Sequence, residues 1–454
     1  MRKIFSLVLI LVSLFAFSLK IYPNLIYNIE VKDLIFEYSF FVRNDLNYDA
    51  IIRIEKIDFV TDGKKYEFDL PDYKYSVKNY VDLDSYEFEL KPDEEKRITL
   101  KFNIPSDFDG ASGVFALKIS QESKRGGQIQ IRLNYIVPFF LRFKNINPIQ
   151  KVDITDVDIR NLNLYPDERY GNFGTLITMK LKNNGNVVFL PYGTIKITSV
   201  DLRTTISEKE INSFDLVVFP ENEAFYTFKI PEILPTGKVR FSVEGESYGM
   251  RFSISKDATI NETYENLIVE ASPNVIIFDD KTINTLKSIL IKNLTSFKSE
   301  ISWEIVDQKG LRSDIFKLYP SVLRIYPYRA TSIKIRSNER EITNVGDRIF
   351  YLHLLYDGKK ISVKSPLIVV RGQKLSPELK AKYLPEENSI ELTNTGNCLL
   401  AIDINYSSFS LYNDIVLIPG QSKKIKLEDN ISISRIILKY GIFGENKEYE
   451  EYIR

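Results

Sequence analysis

Leu392-Thr393-Asn394-Thr395-Gly396-Asn397, with Ile418-Pro419-Gly420 and Ile425-Lys426-Leu427 after it, decides how this chain is read, because the same couplet recurs along it. The first half is an apolar strand ending in an asparagine turn. Its other copies are Phe41-Val42-Arg43-Asn44-Asp45-Leu46, Leu181-Lys182-Asn183-Asn184-Gly185-Asn186 and Ile291-Lys292-Asn293-Leu294-Thr295. The second half is a proline-started turn feeding an alternating strand. Its other copies are Lys91-Pro92-Asp93 into Ile98-Thr99-Leu100-Lys101-Phe102, Phe219-Pro220-Glu221 into Phe225-Tyr226-Thr227-Phe228, and Tyr326-Pro327-Tyr328 into Ile333-Lys334-Ile335. Asparagine tolerates a left-handed backbone and bonds its own main chain, so the first half is expected to close a hairpin. Proline presets the turn dihedral, and alternation then puts every second side chain on one buried face. At domain-sized spacing, the couplet predicts four copies of one β-sandwich unit.

The totals agree with an all-β chain. Its 454 residues suit four sandwiches of immunoglobulin size, or about three domains of ordinary length. Tyr, Phe and Ile are abundant, as pleated half-buried surfaces require. Lys plus Arg and Asp plus Glu both number 61, so no net field argues for nucleic acid or an anionic membrane as partner. The single cysteine, Cys398, excludes an internal disulfide; next to Leu399 and Leu400 it reads as a small buried hydrophobe.

At the N-terminus, Arg2 and Lys3 precede a nearly unbroken apolar stretch, and Ala16-Phe17-Ser18 supplies small residues for cleavage. Residues 1–19 therefore read as a secretory signal peptide, with an uncleaved anchor as the other possibility. The expected location is exported: periplasm or cell surface.

Four units follow, over 20–147, 148–258, 259–371 and 372–454. In the first, Leu34-Ile35-Phe36-Glu37-Tyr38-Ser39-Phe40-Phe41-Val42 is a strand, with residues 51–57 as its expected partner. Asp62-Gly63 reads as a hairpin turn, and Lys124-Arg125-Gly126-Gly127 as a connection between two more strands. Leu90-Lys91-Pro92-Asp93-Glu94, Ile98-Thr99-Leu100, Ile104-Pro105, Gly110, Phe115-Ala116-Leu117-Lys118-Ile119 and Gly126-Gly127 together resemble the first domain of the WxL-interacting proteins of bacterial cell surfaces. Residues 153–198 resemble the second domain of that family. The resemblance implies an immunoglobulin-like fold and peptidoglycan as a partner. Gly372-Gln373-Lys374-Leu375-Ser376-Pro377 reads as the linker between the last two units.

Residues 267–445 carry a second resemblance. Val269-Glu270-Ala271-Ser272-Pro273-Asn274-Val275-Ile276-Ile277-Phe278 resembles the opening strand of periplasmic pilus-assembly chaperones. Ile289-Leu290-Ile291-Lys292-Asn293, Ile301-Ser302-Trp303-Glu304, Phe316-Lys317-Leu318-Tyr319-Pro320, Leu323-Arg324-Ile325-Tyr326-Pro327 and Phe350-Tyr351-Leu352-His353-Leu354 follow in that family's order. The fourth unit resembles the second chaperone domain. The resemblance implies an Arg and a Lys holding a carboxylate, but the matching positions are Val275 and Leu367, with Lys364 out of register.

Catalytic chemistry has little to work with. His353 is the only histidine and lies between Leu352 and Leu354 in a strand. One His and one Cys cannot build the usual transition-metal clusters. No nucleophile elbow or phosphate loop occurs. Asp153, Asp156 and Asp158 read either as a Ca²⁺ site at a domain junction or as a solvated edge strand. Trp303 reads as core or as a stacking surface. No catalytic residue, metal ligand or cofactor is assigned.

The chain thus reads as a non-enzymatic envelope protein that binds or assembles other exported or cell-surface proteins by strand addition. The alternative is a structural scaffold or adhesin that tethers or spaces envelope layers. Pro366 cannot donate to a ladder, so residues 361–370 are the expected edge, with Ile361, Val363, Lys364, Leu367 and Val369 facing a partner. Export is checked by N-terminal sequencing of envelope material: a start near Leu19 is expected, and a full-length cytosolic protein would refute it.

Overall fold

Period-two alternation becomes strand throughout the computed structural model, which describes residues 19–22, 27–63, 66–68, 73–123, 132–212, 215–406, 409–427, 436–445 and 449–452. The expected cleavage point at Ala16-Phe17-Ser18 and the turn at 124–127 lie outside the described residues. Apart from two 3-10 turns, the described elements are strands, and the fold is a tandem of β-sandwiches. No helix among the described residues is long and apolar enough to cross a membrane.

In the first sandwich, Leu19–Tyr22, Ile35–Asn44, Glu95–Asn103 and Val81–Leu83 form one sheet, and Tyr27–Val31, Arg132–Phe143, Ser112–Ser123, Ala50–Ile57 and Glu87–Leu90 the other. The second packs Val152–Asn161, Thr175–Asn183 and Glu223–Ile230 with Thr204–Ile211, Tyr192–Ser199, Gly237–Ser247 and Met250–Ile260. In the third, Val269–Ser272, Lys287–Asn293, Ala330–Ser337 and Phe316–Tyr319 face Val275–Phe278, Leu367–Arg371, Asp347–Tyr356, Ser299–Asp307 and Leu323–Ile325. The fourth has Leu379–Leu384, Ser389–Asn394 and Ser422–Lys426 against Phe409–Leu417, Leu400–Tyr406, Ile436–Ile442 and Tyr449–Tyr452. Aromatic residues fill the first core, where Phe115 and Phe139 stack at 4.8 Å, while Ile and Leu dominate the fourth.

The couplet is one hydrogen-bonded object in every sandwich. The amides of Asn44, Asn183, Asn293 and Asn394 are fully buried. Each donates to the carbonyl four residues on: Tyr48 at 2.9 Å, Val187 at 2.8 Å, Phe297 at 2.6 Å and Cys398 at 2.8 Å. Each also donates to a carbonyl just before the proline turn: Leu90 at 3.1 Å, Val218 at 3.0 Å, Tyr326 at 3.0 Å and Leu417 at 2.9 Å. Its own main-chain N–H donates to the carbonyl two residues past the proline, on Glu94, Asn222, Arg329 and Gln421, at 3.0 Å in all four. The residue after each proline is left-handed, as a type II turn requires, at φ 60° for Asp93, 58° for Glu221, 54° for Tyr328 and 78° for Gly420. Only the last is glycine. The other three hold a conformation that costs roughly 1 kcal/mol or more, against the pull of the flanking bonds.

These bonds correct one expectation. The asparagine turn does not close a hairpin. Ile35–Asn44 and Ala50–Ile57 lie in opposite sheets, and the same is true after Asn183, Asn293 and Asn394. The side chain takes up the carbonyls that a crossing chain would otherwise leave bare in the core, so the turn arches between the layers. The Asp62-Gly63 loop does close a hairpin, between Phe59–Thr61 and Tyr66–Phe68.

The sandwiches group into two compact units, residues 1–263 and 264–454. Within each, the joint between the two sandwiches is built alike. Asn186 and Asn397, three residues after the buried asparagine, clamp the connecting segment: Oδ1 accepts from Ile149 N and Ser376 N, both at 2.7 Å. Nδ2 donates to the carbonyls of Asn147 and Lys374. Their own carbonyls accept from Ser112 N and Asp347 N of the preceding sandwich, at 3.2 and 2.7 Å. Gly185 and Gly396 lie against the carbonyls of Ile149 and Ser376, where a Cβ has no room. The linker at 372–377 is therefore tied down: Gly372 N donates to Gly346 O and Gln373 N to Asn344 O.

Asn394→Ala strips the Cys398 and Leu417 carbonyls of their buried donor, and a loss of about 3 kcal/mol is expected. Gly420→Ala meets no atom, so only the left-handed backbone counts and about 1 kcal/mol is expected. Urea unfolding of the full chain checks both; equal losses would contradict the bonding account.

Candidate functional site

The segment expected as a free edge lies elsewhere. Ile361 is buried; its N–H donates to Leu354 O of one sheet and its carbonyl accepts from Val269 N of the other. Val363 N then donates to Val269 O at 3.0 Å, so residues 361–363 bridge both layers. Leu367–Arg371 runs between Val275–Phe278, parallel, and Asp347–Tyr356, antiparallel. It is an interior strand, and the edge reading of 361–370 is corrected. Pro366 precedes the first ladder residue, a position where a missing donor costs nothing, and its carbonyl accepts from Leu352 N. Val369 is fully buried and Leu367 half-buried; Val363, 41% exposed, and Lys364 face outward.

Val275 and Leu367, the aliphatic residues at the implied anchor positions, are brought directly opposite each other. Both pack on the apolar joint of this unit, with Ile349, Val369 and Leu399 fully or nearly buried and Val416, Ile418 and Phe443 around them. A carboxylate there would meet no cation on either residue.

Sequence reading missed the charged part of this joint. Asp347 and Arg371 are opposite each other in the ladder. The Asp347 carboxylate is fully buried; Oδ2 accepts from Leu399 N at 2.8 Å, and Oδ1 lies 3.5 Å from Arg371 Nε. Arg371 Nη1 lies 3.7 Å from Glu445 Oε1, in the next sandwich. The network joins both sandwiches through one guanidinium. A buried pair adds little net stability, but removing one partner strands the other charge.

The other singled-out residues lie in strands and cores. His353 is nearly buried, with Nδ1 3.2 Å from Oε1 of Glu304, its cross-strand neighbour. Cys398 is fully buried, and burial pushes its thiol up to about 11, so it is not a thiolate at neutral pH. Trp303 packs on the third core. Asp153 and Asp156 sit opposite Lys182 and Lys180, and Asp158 opposite Thr178, with a bulge between Ile154 and Asp156. Among the described residues no group of three or more potential metal ligands occurs.

Asp347→Ala and Arg371→Ala are each expected to cost about 3–5 kcal/mol, the double substitution less than their sum. Denaturant unfolding of the full chain, followed by a probe in residues 264–454, checks this; additive losses would mean the two groups do not act together.

No family model matches the chain, and no curated protein matches it. Solved structures with some likeness include the class 5 fimbrial chaperone CfaA, at 14% identity over 54% of this chain and 100% of that one, TM-score 0.32. The Acinetobacter baumannii CsuC–CsuE chaperone–adhesin complex gives 15% identity over 53% and 98%, TM-score 0.30. The periplasmic chaperone SfaE gives 16% over 40% and 98%, TM-score 0.26. At this level neither a family nor an activity follows.

Proposed function

We propose that the chain is a non-enzymatic, exported binding or assembly protein of the cell envelope, chaperone-like, that engages other exported proteins by strand edges. The observation that carries this reading is topological. The described sheets are open, and several end in strands paired with one neighbour, such as Ser422–Lys426, whose outward main-chain groups at Lys424 are a template for an added strand, while the Lys426 carbonyl accepts from Tyr412 Oη. The apolar pair Val275 and Leu367 argues for ladder bonds over a clamped carboxylate. A second reading, a scaffold that spaces envelope layers, is favoured by the two clamped joints, each of which ties its own pair of sandwiches together.

A photo-crosslinking amino acid placed at Lys317 or Tyr319, both exposed on the end strand Phe316–Tyr319, is expected to yield discrete adducts with processed exported proteins in living cells. Adducts only with a regular surface layer would favour the scaffold, and no adducts would refute partner binding there. With a captured partner's peptide, amidating the C-terminus should change affinity by less than about threefold; a loss of a hundredfold or more would restore the carboxylate clamp.

A further inference from the structure

The two units share a joint but differ in what covers one strand beside it. In residues 1–263 the chain supplies its own cover. The Asp62 carbonyl accepts a hydrogen bond from Phe225 N on the edge strand Glu223–Ile230. Phe59 meets fully buried Phe219 edge-on at 5.9 Å, and Tyr73 Oη donates to Pro220 O at 3.2 Å. Phe59, Asp62 and Tyr73 together occupy the shoulder around the second proline turn.

In residues 264–454 the matching connection is short. Between Ser299–Asp307 and Phe316–Tyr319 the chain turns tightly, with Gly310 N donating to Asp307 O and Asp307 N to Leu311 O. The counterpart of Phe225 is Lys424. Phe225 lies opposite Lys180, three residues before Asn183, and Lys424 lies opposite Glu391, three before Asn394. The Asn394 N–H to Gln421 O bond sets the alternation, so the Lys424 N–H points out of the sheet. Among the described residues no carbonyl takes it. Ile418, in the place of Phe219, is left part-exposed.

The open edge is also cationic. Lys423, Lys424 and Lys426 are exposed, and among the described residues only Lys424 has a carboxylate partner, Glu387. The corresponding residues in the first unit are Ala224, Phe225 and Thr227. Lysines on an edge block pairing with ordinary strands, yet they favour a strand that brings carboxylates.

We propose that Ser422–Lys426, with the Ile418-Pro419 shoulder, is the docking site for an extended acidic segment of a partner protein. That segment takes the place the Asp62 loop takes in the first unit. A carbonyl of the segment accepts from Lys424 N, its carboxylates meet Lys423 and Lys426, and an apolar side chain covers Ile418. The proposal rests on the strand-edge reading above and names its site and the charge of its partner.

The test uses the full chain and a fluorescein-labelled peptide of residues 57–68 carrying Lys64→Glu and Lys65→Glu, read by fluorescence anisotropy. Saturable binding that weakens with salt is expected, and a peptide with its acids changed to Lys should not bind. The double substitution Lys423→Glu/Lys426→Glu, which leaves the ladder intact, should weaken binding at least about tenfold. Lys424→Pro removes the outward N–H and should abolish binding with the unfolding midpoint of residues 264–454 little changed. If Lys424→Pro unfolds the unit, the charge-reversal pair alone decides. Equal binding by the charge-reversal variant, or no binding of the acidic peptide, overturns the site. Crosslinked partners at Lys317 or Tyr319 alongside either result would leave the wider reading standing.

Discussion

A buried asparagine amide is the constraint on which each sandwich depends. A chain that crosses from one sheet to the other must leave carbonyls facing the core, and each unpaired one costs about 1–3 kcal/mol. Asn44, Asn183, Asn293 and Asn394 each satisfy two or more such carbonyls with one NH₂, one from their own arch and one from the approach to the proline turn. Two stretches far apart in sequence are thereby fixed to each other. The proline turn then has no freedom in how it enters its strand, which explains why Asp93, Glu221 and Tyr328 hold left-handed backbone without being glycine.

That couplet was legible because both halves are short, local and chemically specific. Alternation then identified the buried face of most strands. What it could not show is which sheet a strand joins, since period two is the same in either layer. Residues 34–42 and 51–57 were therefore expected as partners, although they face each other across the core. The misread edge had a signal: Leu367-Ile368-Val369-Val370 is a continuous apolar run, the mark of a strand covered on both faces. Pro366 outweighed it, though a proline before the first ladder residue carries no such meaning. Asp347 and Arg371 had no local signal, because only the ladder register brings them together. Gly185 and Gly396 were readable, since the glycine is present only in the second asparagine turn of each unit, where the linker carbonyl leaves no space for a Cβ.

The joints connect this architecture to function. Asn186 and Asn397 bind the linker and the preceding sandwich with the same atoms, so each pair of sandwiches is held as one body. Holding two sandwiches fixed places the strand edges beside the joint at constant geometry, which lowers the ordering cost of adding a partner strand. The first unit closes its shoulder with Phe59, Asp62 and Tyr73, and the second leaves the same place to lysines and a part-exposed isoleucine. One module built twice thus presents two different surfaces.

Residue-resolved amide hydrogen exchange of the full chain, alone and with a captured partner, tests this most directly. The Phe225 amide, covered by the Asp62 carbonyl, should exchange slowly in both states, while the Lys424 amide should exchange fast alone and slow with the partner bound. Protection that leaves Lys424 unchanged and gathers instead around Val275 and Leu367 would contradict the account.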